Sequence, residues 1–373
     1  RVALKPSSIA QVADALAAAL GVAGPAGSVP EGLTRERFDA MVEDLQAAGS
    51  AALVVAGESQ PPVVHALAAA INQTLGGVGT TVTYIDSVSA RPAVHMQDLT
   101  ELTAALRSGD VDALVVIGAN PAYTAPADLE FAAALSQAAF SAHLGLHRDE
   151  TGSLCDWHVP KTHFLETWSD ARAYDGTTTI TQPLILPFYG GKSEHELLAA
   201  MLGDTDASGY DIIRSHWQGR VTGSFEDFWR ETVYRGIVAG SASQAASVGT
   251  ASVSGELPAP AATEVLFVYD RAVLDGRFAN NGWMQELPRP ISKLTWDNAA
   301  LMAPATAESL RVKTGDVIAL SHGDRRIDVP VMIQPGQAAG AVTVALGYGR
   351  TAAGSIGNGV GVDAYLLRGS ASP

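Results

Sequence analysis

The sequence predicts an α/β protein: a doubly wound parallel sheet followed by a small C-terminal β-barrel. Residues 51–56 (AALVVA) and 113–117 (ALVVI) are short, continuously apolar runs of the type buried on both faces of a parallel sheet. Helical periods separate these runs, and strand–helix alternation at this spacing builds a doubly wound sheet. Beyond Thr263 the pattern changes to short strands, Gly-Asp turns and Pro335-Gly336, as in a small barrel. The corresponding division is an α/β region over residues 1–257 and a barrel domain over 258–373, with the boundary at 258–260.

Residues 7–20 form an amphipathic helix with serine as N-cap and Gly21 after its end. A Gly/Pro-rich link over 21–32 leads to a second helical period at 35–48, whose Phe38, Met41, Val42 and Leu45 share one side. After the run at 51–56, the turn from Gly57 to Pro62 opens a helix over 63–75, with proline near its first turn. Gly76 and Gly77 stop it, and residues 81–85 make the next strand. A helix over 98–108, the run at 113–117 and a helix over 128–138 follow, then a short strand from Phe140 to His143 or Leu146. Residues 177–183 are β-prone, 193–202 helical and 225–237 an acidic helix; the Ala/Ser/Gly linker up to Ser254 reads as exposed or disordered. The last part holds strands at 264–270, 294–296, 317–320, 326–333 and 341–345, with a helical turn at 305–310. Ligands of doubly wound sheets sit beyond the carboxyl ends of strands, so the loops after Ala56 and Ile117 form the natural binding edge.

A chain of 373 residues with 47% hydrophobic and 17% charged side chains buries a sizeable core. Its 39 acidic against 24 basic residues give a net charge of −15, which argues against nucleic acid as a partner. One cysteine forms no intrachain disulfide, and it cannot hold an iron–sulphur cluster, which takes about four thiolates. No run of about 18 apolar residues spans a bilayer.

Candidate chemistry concentrates in residues 142–176, AHLGLHRDETGSLCDWHVPKTHFLETWSDARAYDG. A zinc site there would draw on His143, His147, Cys155 and His158, whose spacings fall within the range that metal sites use. Against it, Leu144-Gly145-Leu146 reads as a strand exit, so His143 and His147 need not share a face, and Pro160 forces extended backbone. The alternative is that the histidines satisfy buried polar groups or line an interface. No G-x-S-x-G elbow supports serine catalysis, and Gly76, Gly77 and Gly79 follow a helix, the reverse of a dinucleotide loop. Asp149 with Glu150, or Asp156 with Glu166, are placed for acid–base work, with a solvated or arginine-paired role as the default.

The segment IGANPAYTAP (residues 117–126) resembles the G-x-N-P loop of molybdopterin oxidoreductases of the dimethylsulphoxide-reductase type, which lies against the guanine dinucleotide tail of the cofactor. Asp149-Glu150-Thr151, Cys155-Asp156-Trp157-His158-Val159-Pro160 and Glu166-Thr167-Trp168 fill the places of further motifs of that family. PATAESLRVKTGDVI and IQPGQAAG resemble its C-terminal barrel. HVPKTHFLETWSDARAYDGTTTITQPLILPFYGGKSEHELL and WMQELPRPISKLTWDNAALMAPATA are similar to the large iron–sulphur subunit of alternative complex III, a membrane-bound quinol oxidase of bacterial respiratory chains. The similarity covers about residues 30–365.

The resemblance implies a cofactor-less scaffold in electron transport. It would dock an iron–sulphur domain or subunit, a multihaem cytochrome c and integral membrane quinol-binding subunits at the periplasmic face of the inner membrane. Iron–sulphur clusters are expected in the adjoining domain or subunit, and no cofactor, metal or catalytic residue in this chain. The vestigial pterin-loop positions are Gly118, Asn120, Pro121, Thr151 and Asp156. No cysteine precedes Cys155, and residues 1–60 show no molybdenum-ligand segment. The alternative implied by the same resemblance is the catalytic portion of a molybdenum bis-pterin oxidoreductase, such as a polysulphide or thiosulphate reductase. Trp157, His158 and Trp168 are expected to fill a former cofactor channel, bonded to one another.

Overall fold

The computed structural model describes residues 1–22 and 27–371. Two compact units divide the chain: Ile85–Gln244 with Thr351–Ser355, and Arg1–Tyr84 with Ala245–Arg350 and Ile356–Pro373. Compactness thus groups the chain differently from a linear cut at 257/258, because the first residues pair with the last third. Ser7 N donates to the Glu264 carboxylate at 3.0 Å, and Lys5 Nζ to the Ala261 carbonyl at 2.7 Å.

In the unit built on Ile85–Gln244, β1 (Ala113–Ile117), β2 (Phe140–Gly145) and β3 (Trp157–Pro160) pair in parallel, in the order β1-β2-β3. The order follows the chain without reversal, so this sheet is smaller and simpler than the doubly wound one expected. Helix His95–Ser108 and the short helix Phe131–Leu135 cover one face, packing Leu106, Phe131 and Leu135 with Cys155 against Leu114. By strand alternation the opposite face carries Phe140 and Trp157, whose rings meet edge-on at 6.4 Å.

The antiparallel hairpin of β4 (Ser169–Arg172) and β5 (Thr178–Thr181) lies against helices Gly209–Gln218 and Phe225–Arg235. Ile180, Ile213 and Trp229 form its core, with Trp168 stacked on Trp229 at 6.0 Å. The Arg214 guanidinium sits 4.9 Å from the centre of the Phe225 ring. Helix Glu194–Met201 starts on a capping box of Ser193 and Glu196, where the hydroxyl and carboxylate satisfy free amides of the first turn.

The other unit opens with helices Pro6–Ala19, Arg35–Ala48 and Pro62–Thr74, whose apolar faces bury Leu16, Phe38, Leu67 and Ile71. Residues 51–56, expected as a strand, run without a ladder. The Asn72 side chain accepts from Val54 N at 2.8 Å and donates to Val54 O at 2.7 Å, and Thr81 Oγ1 donates to Ala52 O at 2.9 Å. Side chains thus replace the neighbouring strand that the run would need. Residues 81–85 likewise form no strand, only isolated bridge positions at Val82, which faces Val78, and at Ile85. The stretch expected as an exposed or disordered linker is mostly exposed and irregular but bonded, with the Gln73 amide joined to Gly249 O at 3.1 Å and Ala251 N at 2.7 Å.

Five strands complete this unit: β6 (Glu264–Tyr269), β7 (Ala300–Met302), β8 (Val317–His322), β9 (Arg325–Ile333) and β10 (Ala341–Leu346). Their order is β6-β10-β7-β9-β8. Among the described residues no pairing joins β6 to β8, so the sheet is open where a barrel was expected. Residues 294–296 are not a strand: Lys293 and Trp296 take left-handed backbone, with φ of 62° and 58°, and the strand begins later, at Ala300. Beneath the sheet, Arg289 Nε donates to Asp270 Oδ2 at 2.7 Å and its Nη2 to the Tyr348 hydroxyl. Asp270 Oδ1 accepts from Ala272 N at 2.8 Å and Val273 N at 2.9 Å. All three side chains are buried, and burial, more than the Asp270 charge, pushes the Tyr348 hydroxyl far above its ordinary value.

Candidate functional site

The carboxyl ends of β1, β2 and β3 converge on one polar assembly. Gly118 leaves β1 with φ 66°, a backbone that favours glycine, and a Cβ there would approach Lys161 Nζ to 3.2 Å. Asn120 follows, and both polar ends of its side chain are engaged. Nδ2 donates to Glu150 Oε2 at 2.7 Å, while Oδ1 accepts from Thr151 N at 3.1 Å and Thr151 Oγ1 at 2.8 Å. Thr151 Oγ1 in turn accepts from Ala122 N at 3.0 Å, fixing the short helix Pro121–Thr124, which Pro121 opens. Glu150 Oε1 accepts from Thr351 N and Ala352 N, both at 2.9 Å. Asp149 caps the helix Glu150–Leu154 by accepting from Gly152 N at 2.9 Å.

Beside this network lies a histidine pair. His143 is 1% exposed; its Nε2 is 3.1 Å from Ala119 O, and its Nδ1 is 3.1 Å from His158 Nδ1. The carbonyl requires a proton on His143 Nε2, which leaves Nδ1 of the neutral ring to accept from His158 Nδ1. Burial, then the neighbouring His143, lowers the pKa of His158 below its ordinary value, so the His158 ring is neutral at pH 7. The rings fit because the adjoining residues lack side chains. A Cβ on Gly145 would lie 2.2 Å from His143 Cε1, and one on Gly152 2.6 Å from His143 Nδ1 and 2.9 Å from His158 Nδ1.

Four of the five positions singled out from the sequence, Gly118, Asn120, Pro121 and Thr151, therefore meet at this edge. Asp156 does not join them. It precedes β3 at the amino end of the sheet, where Oδ2 accepts from Ser141 N at 2.8 Å and Ser141 Oγ at 3.0 Å, stapling β2 to β3. His143, His147, Cys155 and His158 do not make a metal site: among the described residues no three His, Cys, Asp or Glu side chains are grouped to hold an ion. Burial pushes the Cys155 thiol up, keeping it protonated beside Ser141. Nor do Trp157, His158 and Trp168 bond one another, since β3 turns Trp157 to the opposite face and Trp168 joins the hairpin core.

Sequence reading missed Gly145 and Gly152, whose signal was two small residues flanking His143 and preceding His158. It also missed Lys161, which pairs with Glu194. Burial pushes the Glu194 carboxyl up, but the Lys161 hydrogen bond and charge outweigh it and the net shift is downward. Among the described residues no helix is long and apolar enough to cross a membrane.

No protein-family model matches the chain. It is 24% identical over 303 residues to the molybdopterin-binding-like subunit of menaquinone reductase from Nitratidesulfovibrio vulgaris, covering 76% of this chain and 43% of that protein. Among solved structures it is similar to acetylene hydratase from Pelobacter acetylenicus, with a TM-score of 0.54 and 15% identity, over 72% of this chain and 42% of that one. The chain thus spans less than half the length of either protein. With the β1 exit loop and its Asn120–Thr151 partner in place, these likenesses show that the chain has a molybdopterin-oxidoreductase-like fold.

Proposed function

We propose that this chain is a cofactor-less scaffold module of a membrane-bound quinol-oxidising complex of the alternative complex III type. Its partners are an iron–sulphur domain or subunit, a multihaem cytochrome c and integral membrane quinol-binding subunits, at the periplasmic face of the inner membrane. Clusters and haems in those partners carry the electrons. One observation carries the reading: the Asn120–Thr151–Glu150 network engages its own polar groups at the edge where a pterin dinucleotide would approach. Both polar ends of the Asn120 amide are occupied, the Glu150 carboxylate stands where an anionic tail would need donors, and Lys161 is neutralised by Glu194. That donor set does not fit an anionic dinucleotide.

The likeness to a menaquinone reductase subunit described as molybdopterin-binding-like supports the respiratory assignment. Apolar surface supports the docking role: Trp157 is 65% exposed, and the strap of Leu184, Leu186, Phe188 and Tyr189 stands open to solvent. Molybdenum and pterin analysis of the purified chain tests the reading, with neither expected in stoichiometric amount. Stoichiometric molybdenum with pterin would overturn it in favour of the catalytic portion of a bis-pterin oxidoreductase. In the assembled complex, Trp157→Asp and Leu186→Asp should release the chain from its haem- and cluster-bearing partners.

A further inference from the structure

The two outer strands of the C-terminal sheet are finished differently. β6 is half-buried over residues 264–268, with Ser7 bonded to Glu264 and Lys5 to Ala261 beside it. β8 is bare: among the described residues no strand joins its outer side, and Val317, Ala319 and Ser321 are exposed. The register decides which backbone groups face outward. Pro330, which has no N–H, stands opposite Val317, and one position along Val331 N donates to Asp316 O at 2.8 Å. Antiparallel partners alternate between bonded and non-bonded pairs, so Ile318, Leu320 and His322 bond to β9. Val317, Ala319 and Ser321 therefore turn their N–H and C=O groups away from it. These outward residues include no charge and no proline, the devices that keep a sheet edge from pairing. In a chain of net charge −15 most surfaces repel a second copy. Antiparallel pairing of β8 with itself does not: centred on Ala319, it sets Val317 against Ser321 of the other copy, and the Asp316 carboxylate against the His322 imidazole. No like charges come opposite each other.

We propose that β8 pairs antiparallel with β8 of a second copy of this chain, about a twofold axis at Ala319, joining the two sheets into one. Each outward N–H and C=O of Val317, Ala319 and Ser321 then finds a partner. Sedimentation equilibrium of the full chain tests this, with a reversible monomer–dimer equilibrium expected as the concentration rises to about 1 mM. Ala319→Lys and Ala319→Glu each set like charges opposite across the axis and should weaken the dimer about fivefold or more. Mixed in equal amounts, the two variants should regain it as a heterodimer, which misfolded variants would not do. In Ala319→Cys the paired Cα atoms lie about 5.5 Å apart, within disulfide reach, so mild oxidation should link the copies. Asp324→Cys, whose copies stand at opposite ends of the pair, should not link. A chain that stays monomeric to about 1 mM overturns the proposal and leaves the edge to a strand of another protein. Undiminished dimers of both charged variants, or no recovery when the two folded variants are mixed, would overturn it as well.

Discussion

Beneath the C-terminal sheet, Asp270 and Arg289 remain charged in the interior, with Tyr348 and backbone groups taking up their remaining hydrogen-bonding capacity. At the carboxyl end of the parallel sheet, the buried His143 meets the half-buried His158, with Asn120 and Thr151 beside them. The first arrangement is an ion pair locked by backbone donors and a phenol. The second includes a hydrogen bond between two imidazoles, and acid can undo it by protonating His158. One cluster therefore fixes the fold against its own desolvation cost, whereas the other sets the shape of three loops at modest cost.

Breaking the ion pair should have the largest effect. Arg289→Ala leaves Asp270 buried and unpaired, and denaturant unfolding should show a loss of about 3–5 kcal/mol. A loss no greater than that of the histidine-side variants would erase the distinction. Asn120→Ala removes one partner each from Glu150 and Thr151 and should cost about 1–3 kcal/mol, read from the same unfolding curves. Gly152→Ala drives a methyl into both imidazoles. It should cost about 1–3 kcal/mol through overpacking, with displaced His143 and His158 resonances in NMR spectra. Asn72→Ala, which frees both backbone groups of Val54, should cost about 1 kcal/mol, with faster hydrogen exchange at the Val54 amide.

The smallest effect is the pH dependence. His158 binds its proton less readily in the folded chain than at the ordinary histidine value of 6.5, so the unfolded state takes up more protons. Stability is then fully present above pH 6.5 and falls as the pH drops below it towards the folded value. Glu194 and Asp275, whose carboxyls are shifted downward, lose their contributions only in more acidic solution. His158→Asn should flatten the decline just below pH 6.5 in stability measured against pH.

The β1 exit loop was legible because its residues are both motif and mechanism: glycine for a positive φ, asparagine for a two-ended amide, proline for a helix start. The helix His95–Ser108 was legible from its apolar period, whereas the short helices Pro121–Thr124 and Glu150–Leu154 were not expected. The missed helix Gly209–Gln218 starts on a Ser–x–x–Asp cap. The strands were not equally legible. AALVVA and ALVVI are nearly the same string, yet only the second finds a neighbour in β2. A ladder depends on a second segment arriving in register, and local pattern carries no record of that. The same limit applies to the histidine pair, where His143 and His158 meet only because β2 and β3 align them side by side.

Asn72 has a consequence for how the chain behaves in a crowd. An extended apolar run with vacant donors and acceptors is a template on which another chain can zip. Leu53 and Val55 are exposed there, so the run has the side chains for such growth. By occupying both groups of Val54 while Thr81 takes Ala52 O, a single amide and one hydroxyl deny an incoming strand that side of the template. The pair acts as a stopper against self-association, and it would protect the chain at the concentrations in which assembly with partners competes with aggregation.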